Sequence, residues 1–326
     1  MSSSPNVLVH LLKIACAAIS LWLAAHSLAQ TLDAPLKLVV PAAAGGATDR
    51  SARILADSLK DRLGVAVIVE NQGAAGGLMA AQRVKAAPPG ENVLLVGNPT
   101  TNVLAPILFK NAGYDPQKDF VPVSCIRTYS YAVAVGPKSP VRDMKELIAW
   151  LKANPAQANF GVPALGSLPH LFALMIADVS KVSPQMIGYR GSAPVQVDLM
   201  SGNLPVAVDV VDALLNQHKA GKIRILAVSA SVRSTELPEI PTLKEAGIDA
   251  NGDGWTTLFA PTLMPADKVS LLARAIVDAM NSADVQSRFR AGGLEPVVSS
   301  PEQTAQMLAA YRTKWEPFAR ATGVQE

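Results

Sequence analysis

Leu36-Lys37-Leu38-Val39-Val40-Pro41-Ala42-Ala43-Ala44-Gly45-Gly46-Ala47-Thr48-Asp49 opens the stretch that decides the fold. The apolar run before Pro41 reads as a strand, and Pro41, which has no N–H to give to a ladder, ends it. Ala52, Leu55, Ala56, Leu59 and Leu63 then recur at helical spacing with Asp57, Lys60, Asp61 and Arg62 between them, and Gly64 stops the helix. Val65-Ala66-Val67-Ile68-Val69 is a second strand. After it come the loop Glu70-Asn71-Gln72-Gly73-Ala74-Ala75-Gly76-Gly77, a helix over 79–87 and a third strand, Val93-Leu94-Leu95-Val96. This βαβαβ order predicts a parallel sheet with helices on both faces.

The alternation resumes with a strand over 131–135, a helix over 142–153, a strand over 159–161 and a helix over 169–179. A strand over 185–187, a helix over 193–201, a strand over 206–210, a helix over 212–220 and a strand over 223–229 complete a second α/β unit. A strand over 255–260 and helices over 266–281 and 301–320 close the chain. There is no internal repeat and no low-complexity linker. Two α/β units so joined predict two domains connected by crossing strands, with a cleft between them. The expected division is residues 30–130 plus 254–326 for the first domain and 131–253 for the second.

Composition limits the function. The chain has 326 residues, 49% apolar and 17% charged, and its mean hydropathy of +0.24 is too apolar for disorder and too polar for a polytopic membrane protein. The net charge of +3 carries no basic run, so no nucleic-acid partner is expected. Lys13, the apolar segment Ile14–Ala25 and Ser27-Leu28-Ala29 before Gln30 read as a secretory signal peptide over residues 1–29. That apolar segment is short of the roughly 20 residues a membrane span needs. Lys13 also stands where a lipoprotein would have a small aliphatic residue before Cys16. Past residue 29 one cysteine, Cys125, and two histidines, His170 and His218, are left. Neither an internal disulfide nor a zinc site is expected from them, and no cofactor is implied.

The loop from Pro41 to Asp49 lies between a strand and a helix. Adjacent glycines let a ligand approach the backbone, Thr48 is a natural N-cap, and free N–H groups at the helix start make an anion site. An ordinary βα turn would look the same. The loop matches neither of the glycine-rich nucleotide patterns. In a parallel sheet the loop around Ala75, Gly76 and Gly77 opens on the same edge, so the two glycine loops are expected to be neighbours that suit a carboxylate. Ser167 and His170 lack the G-x-S-x-G elbow. They read as a helix cap with an imidazole facing either a ligand or the core, with a secreted hydrolase as the competing enzyme class. Asp209 ends an apolar strand as a cleft group or a helix cap, and Cys125 reads as core.

These residues resemble the Bug receptors, the extracytoplasmic solute-binding proteins of tripartite tricarboxylate transporters, over about residues 36–320. Pro41 to Asp49 is similar to the family's P-F-x-P-G-G-x-x-D stretch, and Glu70 to Gly77 to its E-N-R-x-G-A-G-G loop. Gly166 to Leu171 resembles G-x-x-x-H-L. Tyr189-Arg190-Gly191-Ser192-Ala193-Pro194 with Asp198-Leu199 and Gly202 resembles P-Y-[KR]-G-x-x-P…D-L-x-x-G. Ile225–Ser229, Arg233, Leu237–Thr242 and Glu245–Gly247 are similar to the family's L-A-V-[TS]…R…L-P-x-[VI]-P-T…E-x-G run. The resemblance implies a two-domain periplasmic binding protein of the type II, Venus-flytrap class. It implies no catalysis, a monomer, membrane permease partners and a small organic carboxylate ligand: a di- or tricarboxylate, an acidic amino acid or an aromatic acid. A sensor kinase is the alternative partner. The implied contacts are Ala42, Gly45, Gly46, Ala47, Thr48, Asp49, Ala75, Gly76, Gly77 and Asn98 from the first domain, and Gly166, Ser167, His170, Tyr189, Arg190 and Asp209 from the second. Arg190 either pairs with a distal carboxylate or is a solvated surface charge. Ala42, Ala44 and Gln72-Gly73 depart from the family pattern at the anion loops.

Overall fold

Every apolar residue of strand β1 (Leu36–Val40) is buried, on both faces of the sheet, and Lys37 alone is partly exposed. Leu36, Leu38 and Val40 share an apolar layer with Ala52, Leu55, Ala56 and Leu59 of α1 (Ala47–Leu63), while Val39 belongs to the opposite layer with Ala80, Ala81 and Val84 of α2 (Leu78–Lys85). β1 pairs in parallel with β2 (Val67–Asn71) and with β3 (Val93–Gly97), as the βαβαβ order requires. Gly64 ends α1 with φ 68° and gives its N–H to the Lys60 carbonyl, a left-handed cap that a residue without Cβ adopts at least cost. The computed structural model describes residues 32–73, 77–234 and 237–321. The expected signal peptide and the candidate contacts Ala75 and Gly76 lie outside the described residues.

Beyond β3 a π-helical turn (Thr100–Leu104) runs into the short α3 (Ala105–Leu108). Strand β4 (Phe120–Val135) follows and is much longer than the 131–135 read from the sequence. Pro122, Ser124, Arg127, Thr128 and Ser130 hide its first part from an apolar-pattern search. The ladder shifts register between Pro122 and Ser124 and between Cys125 and Arg127, the first shift lying beside Pro122. Bulges of this kind admit a residue that cannot donate. Phe120–Ser130 pair with β9 (Asp253–Pro261), whereas Tyr131–Val135 pair with β7 (Val206–Val210), and Ala132–Val135 also with β8 (Arg224–Val228). One strand therefore serves both halves of the molecule.

The strand order is β2-β1-β3-β9-β4-β7-β5-β6, with β5 (Asn159–Val162) and β6 (Gln185–Gly188) at the far side, and with β10 (Glu295–Pro296) and β8 on β4. β9 is antiparallel to β3 and to β4, so β4 runs parallel to β1, β2 and β3. β7 is antiparallel to β4 and parallel to β5, which is parallel to β6. The carboxyl ends of β1–β3 thus point toward Tyr131, and those of β5–β7 point back toward it, with Val210 opposite Tyr131. Two sheet edges rich in strand-to-helix loops face each other there, which is where open α/β sheets bind ligands.

Helices α4 (Met144–Ala153), α5 (Leu168–Ser180), α6 (Ser192–Ser201) and α7 (Val211–Lys219) cover the second half. Helices α8 (Ala266–Met280), α9 (Ala283–Ala291) and α10 (Pro301–Ala321) return to the first. The two crossings are fastened together by Ser229, just past β8. Its Oγ accepts the Tyr131 N–H at 2.8 Å and donates to the Gly252 carbonyl, while its N–H reaches the Tyr131 carbonyl at 2.8 Å. Among the described residues no helix is long and apolar enough to cross a membrane.

Candidate functional site

The loops after β1, β2 and β3 converge at very short range. A Cβ on Gly73 would lie 3.1 Å from the Ala42 carbonyl carbon and the Ala43 nitrogen. Gly77, at φ 91°, has Pro41 Cβ and Thr101 Cγ2 each 2.7 Å from where its Cβ would be. The glycines at 73 and 77 are thus demanded by the approach of neighbouring loops, and the expected adjacency of the two glycine loops is what the chain adopts. The third loop is held by Asn98, whose Oδ1 accepts the Thr101 N–H at 3.1 Å and whose N–H donates to Thr101 Oγ1 at 3.2 Å. The signal for this loop is the Asn98-Pro99 turn directly after an apolar strand.

Asp49 is not positioned as a ligand contact. It is 2% exposed, and four donors take its carboxylate: Gly45 N–H at 2.8 Å and Arg53 Nε at 3.0 Å on Oδ2, Asn71 Nδ2 at 2.9 Å and Arg53 Nη2 at 2.9 Å on Oδ1. Those fill the acceptor capacity of a carboxylate. Burial pushes this acid up, but the hydrogen bonds from Arg53, Gly45 and Asn71 outweigh it and hold the group below the usual carboxylate range. Thr48 is not the helix cap either. Gly46 is the N-cap, no side chain caps α1, and Thr48 lies inside the first turn. With Ala43 to Gly46 exposed, the N–H groups of Gly46, Ala47 and Thr48 stand at a helix end that has no carbonyl to offer them. Arg50 is held aside by the carbonyls of Gly45 at 3.0 Å and Gly292 at 3.4 Å.

The facing edge supplies the second half. Ser167 is the N-cap of α5, as read from the sequence, but its Oγ donates to the Ala164 carbonyl at 2.6 Å rather than capping the helix. The Gly166 N–H donates to His170 Nδ1 at 3.0 Å, so the buried, neutral imidazole carries its proton on Nε2. Burial lowers the pKa of this histidine. Gly166 comes within reach of the first half, its Cβ position lying 3.6 Å from Leu108 Cδ1. Tyr189 donates to Asp198 Oδ2 at 2.8 Å and is pushed up to about 12 by burial and that carboxylate, whereas Arg190 is exposed. Asp209 does not cap α7, whose N-cap is Val210. Its Oδ1 accepts the Val210 N–H at 2.7 Å, and burial raises its pKa to about 6.

Sequence reasoning missed Arg127, which is 2% exposed and gives Nη2 to Asp212 Oδ2 at 2.6 Å while its guanidinium lies 4.6 Å over the Tyr129 ring. Asp212 stands in the first turn of α7, so this ion pair ties the two halves beside the crossing. An arginine in a strand without apolar periodicity leaves no signal. Ser167 Oγ and His170 Nδ1 are engaged with different backbone groups, so they form no nucleophile–base pair of the kind a hydrolase needs.

A profile of the TctC family, described as the tripartite tricarboxylate transporter family receptor, matches residues 51–324. The chain belongs to that family. The receptor is 33% identical to protein BugT of Bordetella pertussis over 293 residues, 89% of this chain and 90% of BugT. An R. palustris protein solved with adipate is 30% identical with a TM-score of 0.83, covering 89% of the receptor and 98% of that chain. MatC of Rhodopseudomonas palustris, solved with bound malate, is 29% identical with a TM-score of 0.78, covering 88% and 99%. Family members are periplasmic solute receptors without catalytic activity. The receptor is one of them, with their two-domain mixed α/β fold, and the secreted-hydrolase alternative is set aside.

Proposed function

We propose that the receptor captures a small dicarboxylate between its two halves and delivers it, as a monomer, to the membrane components of a tripartite transporter. The observation that carries this reading is the pair of facing carboxyl edges, which puts the first turns of α1, α5 and α6 around one cleft. Helix starts offer N–H donors and a favourable dipole to an anion. In this reading one carboxylate sits on the N–H groups of Gly46, Ala47 and Thr48. Ala42, Gly45, Gly77 and Asn98 shape that end. Gly166, Ser167, His170, Tyr189 and Arg190 meet the distal end, with Asp209 beneath them. Adipate and malate bound to similar proteins support a dicarboxylate.

The domains are residues 30–130 with 254–326, and 131–253. They close about Ser130–Tyr131 and Asp253, where β4 changes partners and the chain returns. The precursor loses residues 1–29 on export. Titration of malate and adipate by calorimetry tests the ligand, and solution scattering with saturating ligand is expected to show a smaller radius of gyration. Failure to bind any di- or tricarboxylate would refute the reading. N-terminal sequencing of periplasmic protein is expected to begin at Gln30.

A further inference from the structure

We propose that Arg53 and Asn71 are positioning residues of the anion cradle, and that Arg53 lets the cradle accept a doubly charged ligand by cancelling the charge of Asp49. The inference rests on the carboxylate reading of the cleft. Asp49 stands in the first turn of α1, next to the N–H groups of Gly46, Ala47 and Thr48, and its own carboxylate takes the Gly45 N–H just ahead of the N-cap. A fixed negative charge there opposes a second anion. Arg53 answers it with a two-pronged contact, Nε to Oδ2 at 3.0 Å and Nη2 to Oδ1 at 2.9 Å.

The same guanidinium reaches further. Arg53 Nη2 donates to Asn71 Oδ1 at 3.1 Å, and Asn71 Nδ2 spans Asp49 Oδ1 at 2.9 Å and the Ala42 carbonyl at 3.1 Å. Ala42 follows β1 and Asn71 closes β2, so this network pins the first loop to the second strand end at the point where the cradle forms. The Gly45 N–H held by Asp49 and the Gly45 carbonyl held by Arg50 fix the left-handed turn, φ 84°, that presents Gly46 to the cleft. A lysine at 53 would supply the charge without the fork.

The test uses two measurements on the intact mature protein: calorimetric titration of malate and adipate, and hydrogen exchange of residues 41–50 and 70–73 without ligand. The variants are Arg53→Gln, Arg53→Lys, Asp49→Asn, Asn71→Ala and the Arg53→Gln/Asp49→Asn double. Arg53→Gln is expected to weaken dicarboxylate binding about tenfold, a modest figure because half of Arg53 is exposed and its field is screened. The double variant, with no charge left to cancel, is expected to return to within about threefold of wild type. Arg53→Lys, which keeps the charge, is expected to keep most of the affinity; if Arg53→Gln does not fold, Asp49→Asn carries the charge arm, with affinity expected to hold or rise and a loss overturning it. Asn71→Ala is expected to speed exchange in both segments together. A double variant no better than Arg53→Gln, or Arg53→Gln at wild-type affinity, overturns the charge role; unchanged exchange over 70–73 in Asn71→Ala overturns the lock. Wild-type protein that binds no di- or tricarboxylate refutes the carboxylate reading, and with it the charge role, while the exchange measurement still decides the lock.

Discussion

Replacing Gly46 by proline isolates one main-chain donor. Gly46 sits at φ −70°, a value the pyrrolidine ring prefers, and a Cβ there meets only the Ala43 carbonyl oxygen at an ordinary 3.5 Å. Its carbonyl still accepts the Arg50 N–H at 2.9 Å, and Gly45 before it is the residue type most tolerant of an unusual backbone. The variant is therefore expected to fold, and the stiffer chain adds about 0.4–1 kcal/mol of stability. What disappears is the N–H. A hydrogen bond to a charged acceptor contributes about 1.5–3 kcal/mol, so malate or adipate binding is expected to fall roughly 10- to 150-fold. Gly46→Ala keeps the donor and is expected to bind within about threefold of wild type. Calorimetric titration of both variants, with urea unfolding as the control for folding, gives the comparison. Wild-type affinity in a folded Gly46→Pro variant would remove this N–H from the cradle. Equal losses in the proline and alanine variants would show that shape, and not the donor, is what binding needs.

Gly77→Ala forces a side chain into φ 91° against Pro41 and Thr101, and urea unfolding is expected to show a loss of about 2–5 kcal/mol; a change below about 1 kcal/mol would contradict the convergence of the three loops. Ser229→Ala strips the Tyr131 N–H and the Gly252 carbonyl of a shared partner, with an expected cost of about 2–3 kcal/mol by the same method and a wider spread of ligand-free scattering profiles. Asp209 is raised from 3.8 to about 6 by burial, so the folded state holds this proton more tightly than the unfolded one. The stability that follows is fully present below about pH 4 and is lost as pH rises to about 6. Asp209→Asn is expected to match wild type at low pH and to exceed it by roughly 3 kcal/mol near pH 8, and parallel melting curves across that range would reject the assignment.

The order of strands and helices in the first unit, the stop at Gly64 and the proximity of the two glycine loops were all legible before any coordinates. Each follows from a local rule: apolar spacing, a positive φ, or the common direction of parallel strand ends. The short α9 was not legible because only Val285 and Phe289 of it are buried, too few to show an apolar stripe; the first part of β4 was not, because Arg127, Thr128 and Ser130 break the apolar pattern and pairing with β9, far along the chain, makes that segment a strand. The loop around Gly45 to Thr48 and the Ser167–His170 turn were singled out as candidates from chain chemistry alone. The hydrogen-bond partners of Asp49, Ser167 and His170 were not legible there.

Sequence by itself determined the α/β class, the parallel core of the first unit and which loops carry backbone donors, since these depend on residues within one or two turns of each other. Only the tertiary structure decided that the Asp49 carboxylate is taken up by hydrogen bonds, because its partner Asn71 is 22 residues away, and that Arg127 joins the halves through Asp212, 85 residues on. It also decided that the carboxyl edges of the two sheets face each other, which needs the antiparallel insertion of β9 and the double use of β4. Hydrophobic periodicity acts over neighbouring residues and can be read along the chain. A carboxylate's partners are set by whichever donors the fold brings within about 3 Å of it, and sequence spacing carries no record of that.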